Sequence, residues 1–442
     1  MLSTTDTLGH IPHLPTKPLI GHTKYVIDDF LSLVSRSTSS FGEVYRVKVL
    51  GSWRIHFTSP AAAEYILTDP DNIFSSKLGW ADAAARIFPG SLVLRDFDDH
   101  RQHRRIMQAA FSKSAMDSYQ ALMSEELELL VNTWPENQSF TFHDAIKALT
   151  LQMGSKVFMG LPSDDDGADE LNAALVDQLG AIATLIRKPI PFTPFRKGLK
   201  ARELLANRFG KLVEVRRDFE GGDFFTQMCQ AKDEQGRQWN DQEIVEHFGF
   251  LLMAAHDTTA SALTTMIWAL TEHPEWQEKL YTEVQSLGIG PMTKEIASNM
   301  PLTDWVFKEA LRFMPPVPIV PRVALNPFEW KGIKIPAGSA VTANITMIMR
   351  SPECYTDPEK FDPERFSPTR AEDQCHRFAW LPFGGGAHKC IGMHFASIQV
   401  KSFMRVLLTR YRVQRVNPDT VLWRRIPTAR PKCGLPVVLV RR

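Results

Sequence analysis

Cys390 closes the run Phe383-Gly384-Gly385-Gly386-Ala387-His388-Lys389-Cys390-Ile391-Gly392, and an apolar stretch with helical spacing follows. A thiolate is at home in such a place. Backbone N–H groups and the positive dipole end of a helix N-terminus favour S⁻ over SH. Glycines let the backbone pass close under a flat ligand without side-chain clash. A thiolate held this way can ligate a haem iron and push electron density toward O–O cleavage.

A second group of chemical interest is Ala254-Ala255-His256-Asp257-Thr258-Thr259. An unpaired buried Asp257 would be costly. On one reading Asp257 finds a partner and the threonines bond back to the preceding turn. On the other, a hydroxyl beside a carboxylate relays protons to a reactive iron–oxygen site. The second reading gains weight only in company with Cys390. A third group is Glu309 and Arg312, three residues apart on one helix face, with Arg365 in Phe361-Asp362-Pro363-Glu364-Arg365-Phe366 available to join them. Such a charge network fixes a loop's geometry more than it adds stability.

These groups need elements to hold them. Asn240 and Glu243 form a capping box, and the helix they start runs to just before Pro274. It is apolar all round near Phe250 to Ala255, so it is buried, and at about 30 residues it is unusually long and able to cross a whole molecule. Val44 to Phe57 reads as a hairpin turning at Gly51-Ser52, Phe328 to Val341 as a second β-prone region, and Leu435 to Val440 as a last strand. Helical patterns fill most of the rest. The fold class expected is mainly α with small β-sheets. Length alone would suggest about three domains, but no linker, repeat or low-complexity tract divides the chain, so 1–442 reads as one large domain.

Bulk properties exclude some functions. A formal net charge of +1 gives no reason to expect nucleic acid. No stretch approaches the roughly 18 apolar residues of a membrane span, and the first 21 residues have no signal-peptide pattern. Five cysteines without a C-x-x-C point to a reducing compartment. The expectation is a cytoplasmic protein with no transmembrane anchor, in which Cys229, Cys354, Cys375 and Cys433 are plain thiols or small apolar fillers.

The order Asp257-Thr258, Glu309-x-x-Arg312, Pro363-Glu364-Arg365-Phe366, Phe383-x-x-Gly386-x-x-x-Cys390-x-Gly392 resembles the cytochrome P-450 family of haem-thiolate monooxygenases. The proline-rich opening Ile11 to Gly21 looks like that family's start. The resemblance implies a single P-450-type haem domain with haem b as cofactor. It makes Cys390 the iron ligand and Phe383 the aromatic that tunes the thiolate. Gly384, Gly386 and Gly392 belong to the cofactor loop. His100, Arg104, Arg322 and His388 match positions that face the haem propionates. Ala254 and Ala255 lie along the cofactor, and Asp257 and Thr258 match the acid relay. Glu309, Arg312 and Arg365 match a structural triad. The family commonly has glycine where Ala255 stands, so the oxygen groove differs there. Arg101 and His103 read as surface residues beside the propionate helix.

The same resemblance implies hydroxylation of a C–H bond with O2. No Gly-x-Gly-x-x-Gly follows a strand, so electrons come from a separate ferredoxin or flavodoxin and not from a fused reductase. Lys389 could dock such an acidic partner, or simply be solvated. Trp80, Ile87, Phe88, Leu92, Phe250, Ala254, Val317, Ile319, Val320 and Leu435 are candidate walls of a pocket for an apolar substrate. The segment 189–198 resembles the lid of retinoid- and sterol-acting branches, which favours a retinoid, terpenoid or steroid, with a fatty acid open. Rival readings are a peroxide-using or isomerising haem-thiolate enzyme, a non-catalytic haem sensor, and a zinc site drawn from Cys375, His376, His388, Cys390 and His394.

Overall fold

The computed structural model describes residues 7–161, 166–184, 187–288, 290–417 and 419–442. The chain is mainly helical with small sheets, as expected, and it divides into two compact units.

The first unit comprises 1–82, 308–390 and 422–430. Its centre is a five-stranded sheet in the order Val44–Val49, Ser52–Phe57, Ala340–Ala343, Val320–Ala324, Phe74–Ser75. The opening hairpin pairs Val44 with Phe57 and Val49 with Ser52. Its turn is Leu50-Gly51, one residue earlier than the sequence suggests; both residues have positive φ (48° and 85°), which matches the right-handed twist of the strands. The second β-prone region splits into a hairpin, Phe328–Trp330 with Ile333–Ile335, and the strand Ala340–Ala343. The strand Val320–Ala324, not evident in the sequence, pairs with Ala340–Ala343 and carries Arg322. Helix α1 (Pro60–Thr68) is capped by Ser59 and packs Ala62, Ile66 and Leu67 into the core under this sheet.

The second unit comprises 83–307, 391–421 and 431–442. The helices that matter here are α2 (Phe97–Ala109), α3 (Phe142–Met153), α4 (Asp166–Ala183), α5 (Pro194–Arg217), α6 (Asp241–Glu272) and α7 (Met393–Arg410). Helix α6 has the expected capping box: Glu243 N donates to Asn240 Oδ1 (2.9 Å) and Asn240 N to Glu243 Oε2 (3.0 Å). It runs 32 residues and stops before Pro274. Phe209 of α5 meets Phe248 of α6 edge-on at 4.8 Å, the geometry that aromatic quadrupoles favour. The last strand, Pro436–Arg441, pairs with Tyr411–Arg415 and with Ser139–Thr141, neither of which stands out in the sequence.

Two expectations fail. Cys354 and Cys375 are joined by a disulfide, so they are not plain thiols, and Cys375 leaves the set considered for zinc. Among the described residues no three His, Cys, Asp or Glu side chains converge where a metal ion could sit. His103 is not a surface residue. It is 5% exposed, and its Nδ1 lies 2.9 Å from His247 Nε2 on α6. Among the described residues no helix is long and apolar enough to cross a membrane.

Candidate active site

The cysteine loop belongs to the first unit, and its glycines are required one by one. Gly384 and Gly386 have φ of +66° and +64°, where an L side chain is strained. A Cβ on Gly386 would stand 1.7 Å from the carbonyl oxygen of Leu67 at the end of α1. One on Gly385 would meet the Phe378 ring at 2.5 Å, whereas one on Gly384 would meet nothing within 4 Å. The backbone therefore threads tightly past α1 while its Gly384 side stays bare. Cys390 N donates to Phe383 O (2.9 Å) and Lys389 N to Gly386 O (3.2 Å), closing the loop on itself. Cys390 is exposed and lies outside the disulfide. The Trp380 ring buttresses Phe383 at 5.8 Å, and Trp380 Nε1 donates to Lys308 O (3.1 Å).

The expected charge triad is formed in the same unit. Arg312 Nε donates to Glu309 Oε2 (2.6 Å) and Arg365 Nε to Glu309 Oε1 (3.1 Å), with all three side chains 0% exposed. The spare donors are used as well: Arg312 reaches Met349 O, and Arg365 reaches Thr356 O, Lys360 O and Glu372. Asp362 N also donates to Glu309 Oε1 (2.9 Å). Full satisfaction of this kind is what makes a buried ion network tolerable. Sequence reading misses its fourth member, Glu372, which also accepts from Arg370. Arg322 is buried, donating from one terminal nitrogen to Pro321 O (2.9 Å), and His388 is half-buried.

His100, Arg104, Ala254, Ala255, Asp257, Thr258 and Gly392 fall in the second unit. On α2, His100 is 1% exposed, Arg104 is half-buried, and Arg101 is exposed in a pair with Asp98. On α6, Thr258 Oγ1 donates to Ala254 O (2.6 Å), the back-bond to the preceding turn. Asp257 Oδ1 stands 3.0 Å from Lys147 Nζ of α3. The neighbouring His256 is buried, with Nδ1 2.9 Å from Thr150 Oγ1, also on α3; burial pushes its pKa down to about 4 against the opposing pull of Asp257. Lys147 and Thr150, three residues apart on one face of α3, do not stand out in the sequence, and their spacing is the signal that could have found them. Gly392 caps α7 with φ −84°, so it needs no glycine-only conformation.

The expected pocket walls divide by burial. Ile87, Phe88, Leu92 and Leu435 are buried, whereas Trp80, Phe250, Ala254, Val317, Ile319 and Val320 keep some exposure. Ile87 and Phe88 form one apolar cluster with Phe195, against which Phe250 and Met253 pack.

A family model described as cytochrome P450 matches residues 12–428. This chain belongs to the cytochrome P450 family. It is 39% identical over 385 residues to the putative cytochrome P450 136 of Mycobacterium tuberculosis, covering 86% of this chain and 78% of that protein. It is 27% identical over 441 residues to the cytochrome P450 26B1 of Homo sapiens, covering 95% and 84%. The solved structure of retinoic acid bound cyanobacterial CYP120A1 matches with a TM-score of 0.88 at 26% identity, covering 98% of this chain and 100% of that one. Like other cytochromes P450 the protein is a monooxygenase that uses haem, O2 and a redox partner. The residues present fit a haem: an exposed thiol on a self-closed loop is the donor a haem-thiolate iron takes, and the bare Gly384 side leaves room for a flat ring.

Proposed function

We propose that this cytochrome P450 hydroxylates a medium-to-large apolar substrate, a retinoid before a terpenoid, steroid or fatty acid. The reading includes haem b, electrons from a separate ferredoxin or flavodoxin, a cytoplasmic setting and one catalytic domain over 1–442. The observation that carries it is the Cys390 loop, closed by its own hydrogen bonds and packed against α1 through Gly386. The retinoid preference is supported by the likeness to cyanobacterial CYP120A1, whose matched structure is the retinoic acid bound form, and by the apolar cluster around Phe88.

When bound, the haem supplies the activation of O2 and the insertion of one oxygen atom into a C–H bond. Cys390 would hold it through Sγ, with Phe383 at the loop's other end fixing how that sulfur is presented. His100, Arg104, Arg322 and His388 would neutralise its carboxylates by charge-assisted hydrogen bonds. Ala254 and Ala255 would flank it on α6. Thr258 Oγ1 would release its bond to Ala254 O to pass a proton onward, and Asp257, once its carboxylate has taken a proton from water, would give that proton to the hydroxyl. Lys147 holds the carboxylate in place between these events.

The test is a titration of haem-loaded protein with retinoic acid, a terpenoid, a steroid and a fatty acid, read by the haem absorption spectrum. Retinoic acid is expected to change the iron spin state, and NADPH with a bacterial ferredoxin system is expected to yield a hydroxylated product. Product formation from retinoic acid at an unchanged rate in Cys390→Ser would overturn the reading, as would a spectrum that no apolar compound moves.

A further inference from the structure

His256 precedes Asp257 in α6 and is held by α3. Its hydrogen atoms can be placed from its neighbours. Thr150 Oγ1 has one proton and donates it to Lys147 O (3.1 Å). Toward the imidazole that hydroxyl can only accept, so the 2.9 Å contact is Nδ1–H donating to Thr150 Oγ1. The ring is 4% exposed, and burial pushes its pKa down to about 4, so it is neutral at pH 7. A neutral imidazole with its proton on Nδ1 has a lone pair on Nε2. Nε2 is buried without a hydrogen-bond partner among the described residues and lies 3.9 Å from Asp257 Oδ1. Two facing acceptors gain nothing from one another until a proton comes between them. The other charged or titratable groups that act on the ring are Lys147 and His143, both on α3. Lys147 Nζ holds the same Oδ1 from 3.0 Å, and His143 Nδ1 is 3.0 Å from Thr264 Oγ1.

We propose that His256 is a positioning residue of the acid relay, its Nε2 lone pair and Asp257 Oδ1 forming one seat for a single proton. This rests on the relay proposed for Asp257 and Thr258. The proton comes from water, which reaches the pair because the Asp257 side chain is 26% exposed. Its arrival draws Nε2 and Oδ1 together and takes the pair from one negative charge to none, so Lys147 loosens its hold. Asp257 then gives the proton to Thr258 Oγ1, whose own proton passes on, and the negative charge returns to the pair. Nδ1–H stays on Thr150 throughout and keeps the ring from turning. Two groups coupled this closely titrate as one.

The test is imidazole NMR of the reduced, carbon monoxide-bound holoenzyme, which is diamagnetic, with its histidines labelled with heavy nitrogen. The His256 signals are those missing from either His256→Gln or His256→Asn. At neutral pH Nδ1 is expected to carry the proton and Nε2 none. On acidification the Nε2 signal should move as the seat fills. Lys147→Met removes a repelling cation and should shift that midpoint to higher pH. A ring protonated at Nε2 instead, or a midpoint that ignores Lys147→Met, overturns the inference. The two His256 variants separate positioning from packing. Asn keeps a donor near the place of Nδ1, and so the tie to Thr150, but has nothing at Nε2. Gln puts an acceptor near Nε2 and drops the tie. With retinoic acid, NADPH and ferredoxin, His256→Asn is expected to lower kcat about tenfold at unchanged KM, with an enlarged solvent isotope effect. His256→Gln should restore most of the rate. The reverse order would make the residue a tie between α3 and α6 and overturn the inference, as would wild-type turnover in both. If the wild type makes no product from retinoic acid, the substrate reading fails and the NMR result alone supports or overturns the seat. Full turnover in Asp257→Asn would remove the relay, and the positioning role with it.

Discussion

Lys147 Nζ lies 3.0 Å from Asp257 Oδ1, which ties α3 to the carboxylate proposed to feed protons to Thr258. Both side chains are 26% exposed, so the pair is reachable by water. A relay built this way must loosen its ion pair to work. Asp257→Asn is therefore expected to lower kcat by about 10²-fold with an enlarged solvent isotope effect, leaving substrate-induced spectral changes intact. Lys147→Met should lower it less, since the acid group remains. Wild-type turnover in Asp257→Asn would remove the carboxylate from the mechanism.

Glu309 accepts from Arg312 and shares Arg365 with Glu372, and Glu309 and both arginines are fully buried. Glu309→Ala strands the Arg312 guanidinium, takes one of two acidic partners from Arg365, and should cost about 3–5 kcal/mol. The expected result is a lowered thermal midpoint together with poor haem retention, because the network holds the segment from Met349 to Glu372. Glu309→Gln keeps the shape but not the charge and should fall between.

Gly386→Ala joins two penalties, a positive φ and a contact at 1.7 Å with the backbone of Leu67. Backbone cannot swing aside as a side chain can, so the loop must move. Far-UV circular dichroism should be unchanged while the carbonyl adduct of reduced haem protein loses its thiolate character. Gly384→Ala, with its strained φ but open space, should do less.

What is legible in the sequence follows local rules. The Asn240–Glu243 box and the long apolar run place α6 to within a residue of its start, and the glycine spacing around Cys390 marks the loop. What escapes is set by distant partners. The three-residue strand Ser139–Thr141 exists because Pro436–Arg441 pairs with it, and nothing in three residues announces that. His103 reads as a surface residue from its charged neighbours, yet its own face of α2 turns to His247 and the Trp239 ring. The Cys354–Cys375 bond spans 21 residues, and no pairing can be deduced from spacing alone.

That disulfide encloses Arg365 and Glu372, so it closes the same segment that Glu309 clamps. A crosslink over such a loop is worth about 3 kcal/mol, chiefly by restricting the unfolded chain. Cys375 is exposed and open to a reductant. Thermal midpoints with and without a dithiol reductant should differ, and the Cys354→Ser/Cys375→Ser double variant should match the reduced protein in both conditions. Identical midpoints would mean that the bond adds nothing to stability.

Acid should destabilise the fold through buried histidines. His56 stacks on Tyr45 and sits 3.2 Å from the Asn344 amide nitrogen; burial, aided by the charges of Arg54 and His22, pushes its pKa down to about 3. Unfolded, the same imidazole takes its proton near pH 6.5. Between those values the unfolded chain binds the extra proton, so stability must fall as pH is lowered. The contribution is complete above pH 6.5 and shrinks by about 2 kcal/mol by pH 5 for His56 alone. His256, pushed down to about 4, and His247, lowered further by burial, add in the same direction. Urea midpoints measured from pH 7.5 to 5 should decline accordingly, and His56→Phe should flatten part of that slope while shifting its absolute level. A midpoint that rises on acidification, or one independent of pH over this window, would show that these imidazoles are protonated in the folded protein.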